Sequence, residues 1–179
     1  MGFEQALGQL LKYEGDYSNN SNDNGGETYK GISRNFYPKF QGWTIIDTYT
    51  DKSLLDNDKE LAKYVSDFYY AFYWYKLRCD DINDAFIAKM LFNFAVNMGK
   101  RQVIKKVQRI VGVEVDGLIG NITVAALNNT DSRVFVNHFL LEIIEFYVQI
   151  SKKGNNKVFL LGWLNRAVSV YYESEQRYK

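Results

Sequence analysis

The chain has 179 residues, enough at ~150 residues per domain for one compact domain or two small lobes sharing a core. With 46% apolar and 24% charged residues it can bury a real core, which rules out disorder as the dominant state. A net charge of +1 argues against bulk electrostatic binding of DNA or RNA. One cysteine, Cys79, forbids an internal disulfide. One histidine, His138, removes histidine-rich metal sites and leaves carboxylates as the acids and bases of any enzyme here.

The ends carry no recognisable address. Glu4 precedes any basic residue, Leu7–Leu11 is too short for a signal-peptide core, and Ala6 spoils the myristoylation pattern that Met-Gly opens. No run of 18 apolar residues exists, because Val134–Ile150 is broken by Asn137, His138, Glu142 and Glu145. The expectation is a soluble chain made in the cytoplasm without a signal peptide. If its target lies outside the cell, another component must deliver it.

With one proline, Pro38, and apolar residues returning at three- and four-residue spacing, the chain reads as mainly helical. Phe3, Leu7, Leu10, Leu11 and Glu14 share one face of a first helix that Gly15 should end. From Asp16 to Ser33 the helical period disappears into Asn, Asp and Gly turn chemistry. Short alternating pieces around Tyr17 and Tyr29–Ile32 predict a small hairpin. Helices are then expected at Arg34–Phe40, Lys59–Leu77, Ala85–Met98 (stopped by Gly99) and Gln102–Val111. Three more follow at Ile122–Leu127, with Asn121 as N-cap, Ser132–Ser151 and Val158–Glu173. Val111–Gly120 is the one candidate internal seam.

Glu14 carries the first argument for chemistry. Helical geometry puts its carboxyl on the apolar face, at the helix end where the macrodipole is negative. Both effects disfavour ionisation and hold a proton ready for a general-acid step. The plainer reading is a partly exposed residue at a frayed end, paired with Lys12 or a later arginine. Asp23 lies nine residues on, across the turn-rich loop, and Glu27 and Thr28 follow Gly25-Gly26. A second acid on a hairpin opposite a helix-terminal glutamate is the layout that glycosidic cleavage needs. One carboxylic acid protonates the leaving oxygen, while another carboxylate, or a water it positions, meets the oxocarbenium-like carbon. Against this, Asp23 also reads as an Asx-turn residue, and Glu27 as a solvated charge or an ion pair with Lys30 or Arg34.

Other features read more plainly. Asn20-x-Asn22-x-Asn24-Gly25 mimics the start of an EF-hand, but it opens on Asn and carries Gly31 where a bidentate Glu is required. Neither a metal nor a cofactor is expected. Tyr69, Tyr70, Phe72, Tyr73, Trp74 and Tyr75 nearly fill two helical turns and cannot all face the core. Trp74 and Tyr75 are candidates for stacking on sugar rings, with core filling as the alternative. Asn93 and Asn97, four apart on one helix, fit either a cleft wall or hydrogen bonding between helices. Asp116-Gly117 reads as a turn, His138 as a structural helix residue, and Cys79 as inert.

Tyr13-Glu14-Gly15-Asp16-Tyr17, followed by Asn22-Asp23-Asn24-Gly25-Gly26-Glu27-Thr28-Tyr29-Lys30-Gly31-Ile32-Ser33, resembles the signature of glycoside hydrolase family 108. These are N-acetylmuramidases of phage endolysin and secretion-helper type, whose run reads E-G-G-Y…D-x-G-G-E-T-x-x-G-I-[ST]. The resemblance continues through Tyr73–Arg78 and Phe92–Gly99. Asp116–Thr123 resembles the family's peptidoglycan-binding segment, and Phe159–Arg166 its F-x-x-G-W-x-x-R closing motif.

The resemblance implies a mainly α, lysozyme-like helical fold with a small β-hairpin after the first helix. It implies hydrolysis of the β-1,4 bond between N-acetylmuramic acid and N-acetylglucosamine, with Glu14 as general acid. Asp23 and Glu27 would supply negative charge or activate water, and Thr28 and Tyr17 would orient the sugar. Residues 1–90 would form a muramidase lobe with the hairpin, and residues 91–179 a helical peptidoglycan-binding lobe packed into the same compact unit. The partners implied are peptidoglycan glycan strands and a holin or secretion apparatus for export, with no nucleic acid; a monomer is expected. Action would fall on the cell wall, in the periplasm or outside.

Phage-type lysozymes share a similar pattern of Glu, eight residues, Asp, five residues, Thr, which here shortens to four residues before Thr28. Asp16 replaces the second Gly of E-G-G-Y; Asp tolerates φ > 0, but it adds negative charge beside Glu14 that raises the Glu14 pKa or shares its role. Asn121 stands where the family often has Pro. Two rivals stay open. A lytic transglycosylase uses one Glu and adds no water, and a non-catalytic wall-binding protein would carry Asp16 as the mark of a degenerate site.

Overall fold

A computed structural model describes residues 2–12, 15–19 and 26–177. Two compact units divide the chain, Met1–Lys76 and Leu77–Lys179.

In the first unit, α1 (Phe3–Leu11) buries Ala6, Leu7 and Leu10, the face expected from their spacing. Lys12 is its C-cap; Tyr13 and Glu14, expected on its face, lie outside the described residues. The expected hairpin is a three-stranded antiparallel sheet of β1 (Tyr17–Asn19), β2 (Glu27–Tyr29) and β3 (Ile32–Ser33). Tyr17 faces Tyr29 and Asn19 faces Glu27, while Tyr29 faces Ile32. Lys30 and Gly31 join β2 to β3 with φ of 47° and 76°, the doubly left-handed turn whose twist suits a tight hairpin. The Tyr69 hydroxyl, which donates to the Lys30 carbonyl at 2.7 Å, holds this otherwise unfavourable lysine conformation.

Residues 34–40 do not form the expected helix; they are a series of turns. Pro38 removes a backbone donor and disfavours the helical region at Tyr37, which apolar spacing alone does not register. The helix comes later, as α2 (Gly42–Ile46), which buries Trp43 and Ile46. A Cβ on Gly42 would stand 2.3 Å from the Phe40 ring and 2.8 Å from Leu61, so no side chain fits.

α3 (Lys59–Tyr69) starts at Asp58, whose carboxylate accepts from the Leu61 amide at 2.9 Å. Instead of continuing to Leu77 as one helix, the chain widens into a π-turn over Tyr70–Trp74 and tightens into a 3₁₀ turn over Tyr75–Leu77. This change of pitch answers the aromatic crowding of that stretch. Tyr69 and Trp74 turn inward, while Tyr70, Phe72 and Tyr75 turn outward.

The second unit is helical. α4 (Ala85–Met98) begins at Asp84, which accepts from the amides of Phe86 and Ile87, and stops at Gly99 with φ of 88°. Its Leu91, Phe92, Phe94 and Ala95 are fully buried. α5 (Lys100–Val111) ends in left-handed Gly112, and α6 (Asn121–Asn128) follows a shaped loop. Gly120, not Asn121, is the α6 N-cap, because the Asn121 side chain is drawn away to accept from Arg78 at 2.5 Å. α7 (Ser132–Ser151), capped by Asp131, packs against α8 (Leu160–Gln176). By length and composition α7 could cross a membrane, yet its Phe135, Phe139 and Ile143 form the centre of this unit's core. Ion pairs of Asp84 with Arg177, Lys89 with Glu173, and Arg133 with Glu175 tie the end of α8 to its neighbours.

Candidate active site

Two of the three expected catalytic residues, Glu14 and Asp23, lie outside the described residues. The third, Glu27, is half-buried on β2 and engaged at both oxygens. The Tyr17 hydroxyl donates to Oε1 at 2.9 Å, and Arg34 Nε stands 2.6 Å from Oε2. Of the two partners the sequence offered, Arg34 is the one that pairs. The rest of the Arg34 guanidinium forks onto Asp47, at 2.6 and 3.2 Å, and its plane lies 4.5 Å from the Trp43 ring. This planar, two-edged use suits arginine and not lysine. Glu27 is thus held in place at both carboxyl oxygens, by a phenol and a guanidinium. Burial, and then the Glu27 carboxylate, push the Tyr17 phenol pKa up, so Tyr17 stays a hydrogen-bond donor at neutral pH.

Strand alternation sorts the other residues. Tyr17, Asn19, Glu27 and Tyr29 share one face of the sheet; Thr28, opposite Ser18 and Ser33, points to the other. Gly26, at φ of 61°, leads into β2, and a Cβ there would stand 2.7 Å from the Asn35 amide nitrogen. Only glycine brings the chain so close to Asn35 before Glu27.

Asp16 does not stand as a bare charge. Lys30 Nζ lies 2.5 Å from its carboxylate and 3.0 Å from that of Asp56. Burial works against the Lys30 ammonium, but its bonds to Asp16 and Asp56 outweigh this, and its pKa is raised.

Trp74 is 2% exposed and packs 5.5 Å from the Phe3 ring, so it is a core residue of the first unit. Tyr75 is 62% exposed. Asn93 and Asn97 are on α4 of the second unit, where the Asn97 amide donates to the Asn93 carbonyl at 2.7 Å. Cys79 is buried and burial pushes its thiol pKa up, while His138 is exposed on α7. No group of three metal-ligating side chains occurs among the described residues.

Sequence reasoning missed Trp43, Asp47 and the Lys30 bridge. It also missed Gln108, which is 1% exposed on α5. The Gln108 amide donates to Asp116 Oδ1 at 2.7 Å and the Leu118 carbonyl at 2.9 Å, and its oxygen accepts from the Gly117 amide at 2.8 Å. One buried side chain therefore shapes the loop before α6. The available signal was a glutamine among the apolar positions of an amphipathic helix.

Residues 7–99, more than half of the chain, match the family Glycosyl hydrolase 108. The chain belongs to this family. Residues 102–168 match a second family, described as Predicted Peptidoglycan domain, so the join falls between α4 and α5. This glycosyl hydrolase is similar along 97% of its length to a solved structure, described as that of Brucella abortus SagA, of which 94% is covered. The TM-score is 0.72 at 24% identity, a likeness of fold. No curated protein matches. The fold is mainly helical with a small sheet after the first helix, and the protein is a glycosidase that acts on peptidoglycan.

Proposed function

We propose that this glycosyl hydrolase is a muramidase that cleaves the β-1,4 bond between N-acetylmuramic acid and N-acetylglucosamine. Glu14 protonates the glycosidic oxygen and Asp23 positions or activates the attacking water. Glu27 supplies negative charge and Tyr17, on the same sheet face, orients the sugar; Thr28 points to the opposite face and is not assigned to this site. Tyr75, Asn93 and Asn97 remain candidates for outer sugar contacts. Glycosidic hydrolysis needs carboxyl groups in opposite protonation states at one pH. The contacts of Tyr17 and Arg34 with the two Glu27 oxygens support this reading most directly, because they fix one of the expected carboxyl groups beside an expected sugar-binding tyrosine. Labour is divided between a catalytic part that runs through α4, further than the expected boundary at residue 90, and a wall-binding part that begins with α5. A holin or a secretion apparatus delivers the monomer to the glycan strands.

Mass analysis of muropeptides released from purified sacculi tests the reaction. Hydrolysis gives reducing muramic ends, one water heavier per cut than the anhydro products of a transglycosylase. Anhydro ends, or binding to sacculi without any release, overturn the reading.

The pH dependence follows from the acid. Glu14 acts only when protonated, so activity falls as pH rises through its pKa. Lys30→Met leaves Asp16, two residues along the chain from Glu14, without this partner; the added negative potential would favour the protonated form of Glu14. The alkaline limb of the pH–rate profile therefore moves to higher pH in Lys30→Met and stays in place in Lys30→Arg. A limb that does not move in either variant shows that Asp16 exerts no field on the acid.

A further inference from the structure

The connection between α7 and α8 is basic and apolar at once. From Phe146 to Tyr172 the sequence contains Lys152, Lys153, Lys157 and Arg166 and no aspartate or glutamate. After α7 ends at Ser151 the chain reverses through Gly154, at φ of 53°, and a 3₁₀ turn over Asn156–Phe159 leads into α8. Lys152, Lys153 and Lys157 are exposed. None of them forms an ion pair with a described residue. Beside them Val158, Phe159 and Leu161 are 75%, 56% and 71% exposed. Single exposed apolar residues need no explanation, but three within four positions, with three exposed lysines in the six residues before them, make a segment that is apolar and basic together.

This patch is also supported from beneath. The Phe159 ring lies 5.9 Å from that of Trp163, which stacks at 5.2 Å on buried Tyr147 of α7. The aromatic ladder holds the half-exposed Phe159 ring in place at the turn.

We propose that the α7–α8 tip docks the protein on an anionic lipid bilayer. Val158, Phe159 and Leu161 enter the boundary between headgroups and acyl chains, while Lys152, Lys153 and Lys157 lie at the level of the lipid phosphates. Charge complementarity selects an anionic surface. The apolar residues select a bilayer over a soluble or wall-bound polyphosphate, which offers cations a partner but gives Phe159 and Leu161 no apolar phase. This docking is independent of which carboxyl group performs catalysis.

Cosedimentation of the full chain with phosphatidylcholine vesicles, with and without phosphatidylglycerol, tests it. The protein binds the anionic vesicles and not the neutral ones, and binding weakens as salt rises. Combining Lys152→Gln, Lys153→Gln and Lys157→Gln lowers partitioning on the order of 100-fold, from roughly fivefold per lysine. Combining Phe159→Ser and Leu161→Ser lowers the fraction that survives high salt. Thermal unfolding of each variant confirms that it is folded. Phe159→Trp, a replacement of one exposed ring by another, gives blue-shifted emission on anionic vesicles. Equal partitioning of the glutamine variant and the parent overturns the proposal, as does unshifted Phe159→Trp emission. Soluble poly(glycerol phosphate) that binds the parent as tightly as vesicles do, with no effect of the serine changes, assigns a polyanion site instead. Loss of sacculus binding in the glutamine variant, with no vesicle binding by the parent, assigns the tip to the wall. Either result also overturns it.

Discussion

Glu14→Gln abolishes release of reducing ends from sacculi and leaves the protein folded. Glutamine preserves the shape and hydrogen-bonding reach of the side chain but has no proton to give to the leaving oxygen. General-acid catalysis contributes about 10²–10⁴-fold, and an unactivated sugar leaving group depends on it fully, so a loss of roughly 10³-fold or more is expected. α1 is held by Ala6, Leu7 and Leu10, and the sheet by its own ladders and the Tyr69 bond to Lys30. Circular dichroism and melting temperature should match the parent, and binding to sacculi should persist. Turnover above a small fraction of the parent rate would remove Glu14 from the role of acid and transfer attention to Asp16, the nearest other carboxyl group in sequence.

Gln108→Leu has the largest expected effect on stability. Leucine fills most of the volume but withdraws the partners of the Gly117 amide, the Leu118 carbonyl and Asp116 Oδ1 together. A buried polar group left without a partner costs about 1–3 kcal/mol, and two backbone groups are affected, so a loss of roughly 2–5 kcal/mol is expected. The consequence reaches function, because the loop from Val113 to Gly120 lies within the matched peptidoglycan domain. Chemical denaturation of the full chain measures the first effect, and retention on sacculi the second. A change below about 1 kcal/mol would show that water replaces the glutamine and that the loop is not held by it.

The same loop adds an acid dependence. The Leu118 amide, followed by Gln108, holds the Asp116 carboxyl below the usual carboxylate range. A folded-state pKa lowered in this way contributes stability that is present above the unfolded value and is lost as pH falls through the folded one.

How far the sequence could be read depended on whether its signals were local. Ala85–Met98 and Ser132–Ser151 have the bounds their patterns predict, because an aspartate cap precedes each and, for α4, a left-handed glycine follows. Capping is settled within a few residues. Arg34–Phe40 shows the limit: the spacing was helical, but Pro38 outweighed it, and α2 formed after the turn. The π-turn at Tyr70–Trp74 was foreshadowed only as a crowding problem, since which of six aromatic rings turned inward depended on the space available beneath them.

The sequence by itself determined the family signature and the order of helix, sheet and helices, and it raised the expectation that carboxylates are the chemical groups. It also limited Glu27 to two cationic partners. Only the tertiary structure chose between them. The left-handed turn at Lys30-Gly31 places Lys30 against Asp16 and Asp56, while Arg34, beyond β3, reaches Glu27, Asp47 and the face of Trp43. Residues a few positions apart along the chain are sent to different anions by two backbone dihedrals. Periodicity and composition carry no information about such a reversal, because ion pairing depends on distances of a few ångströms that are set only once the strands are in register.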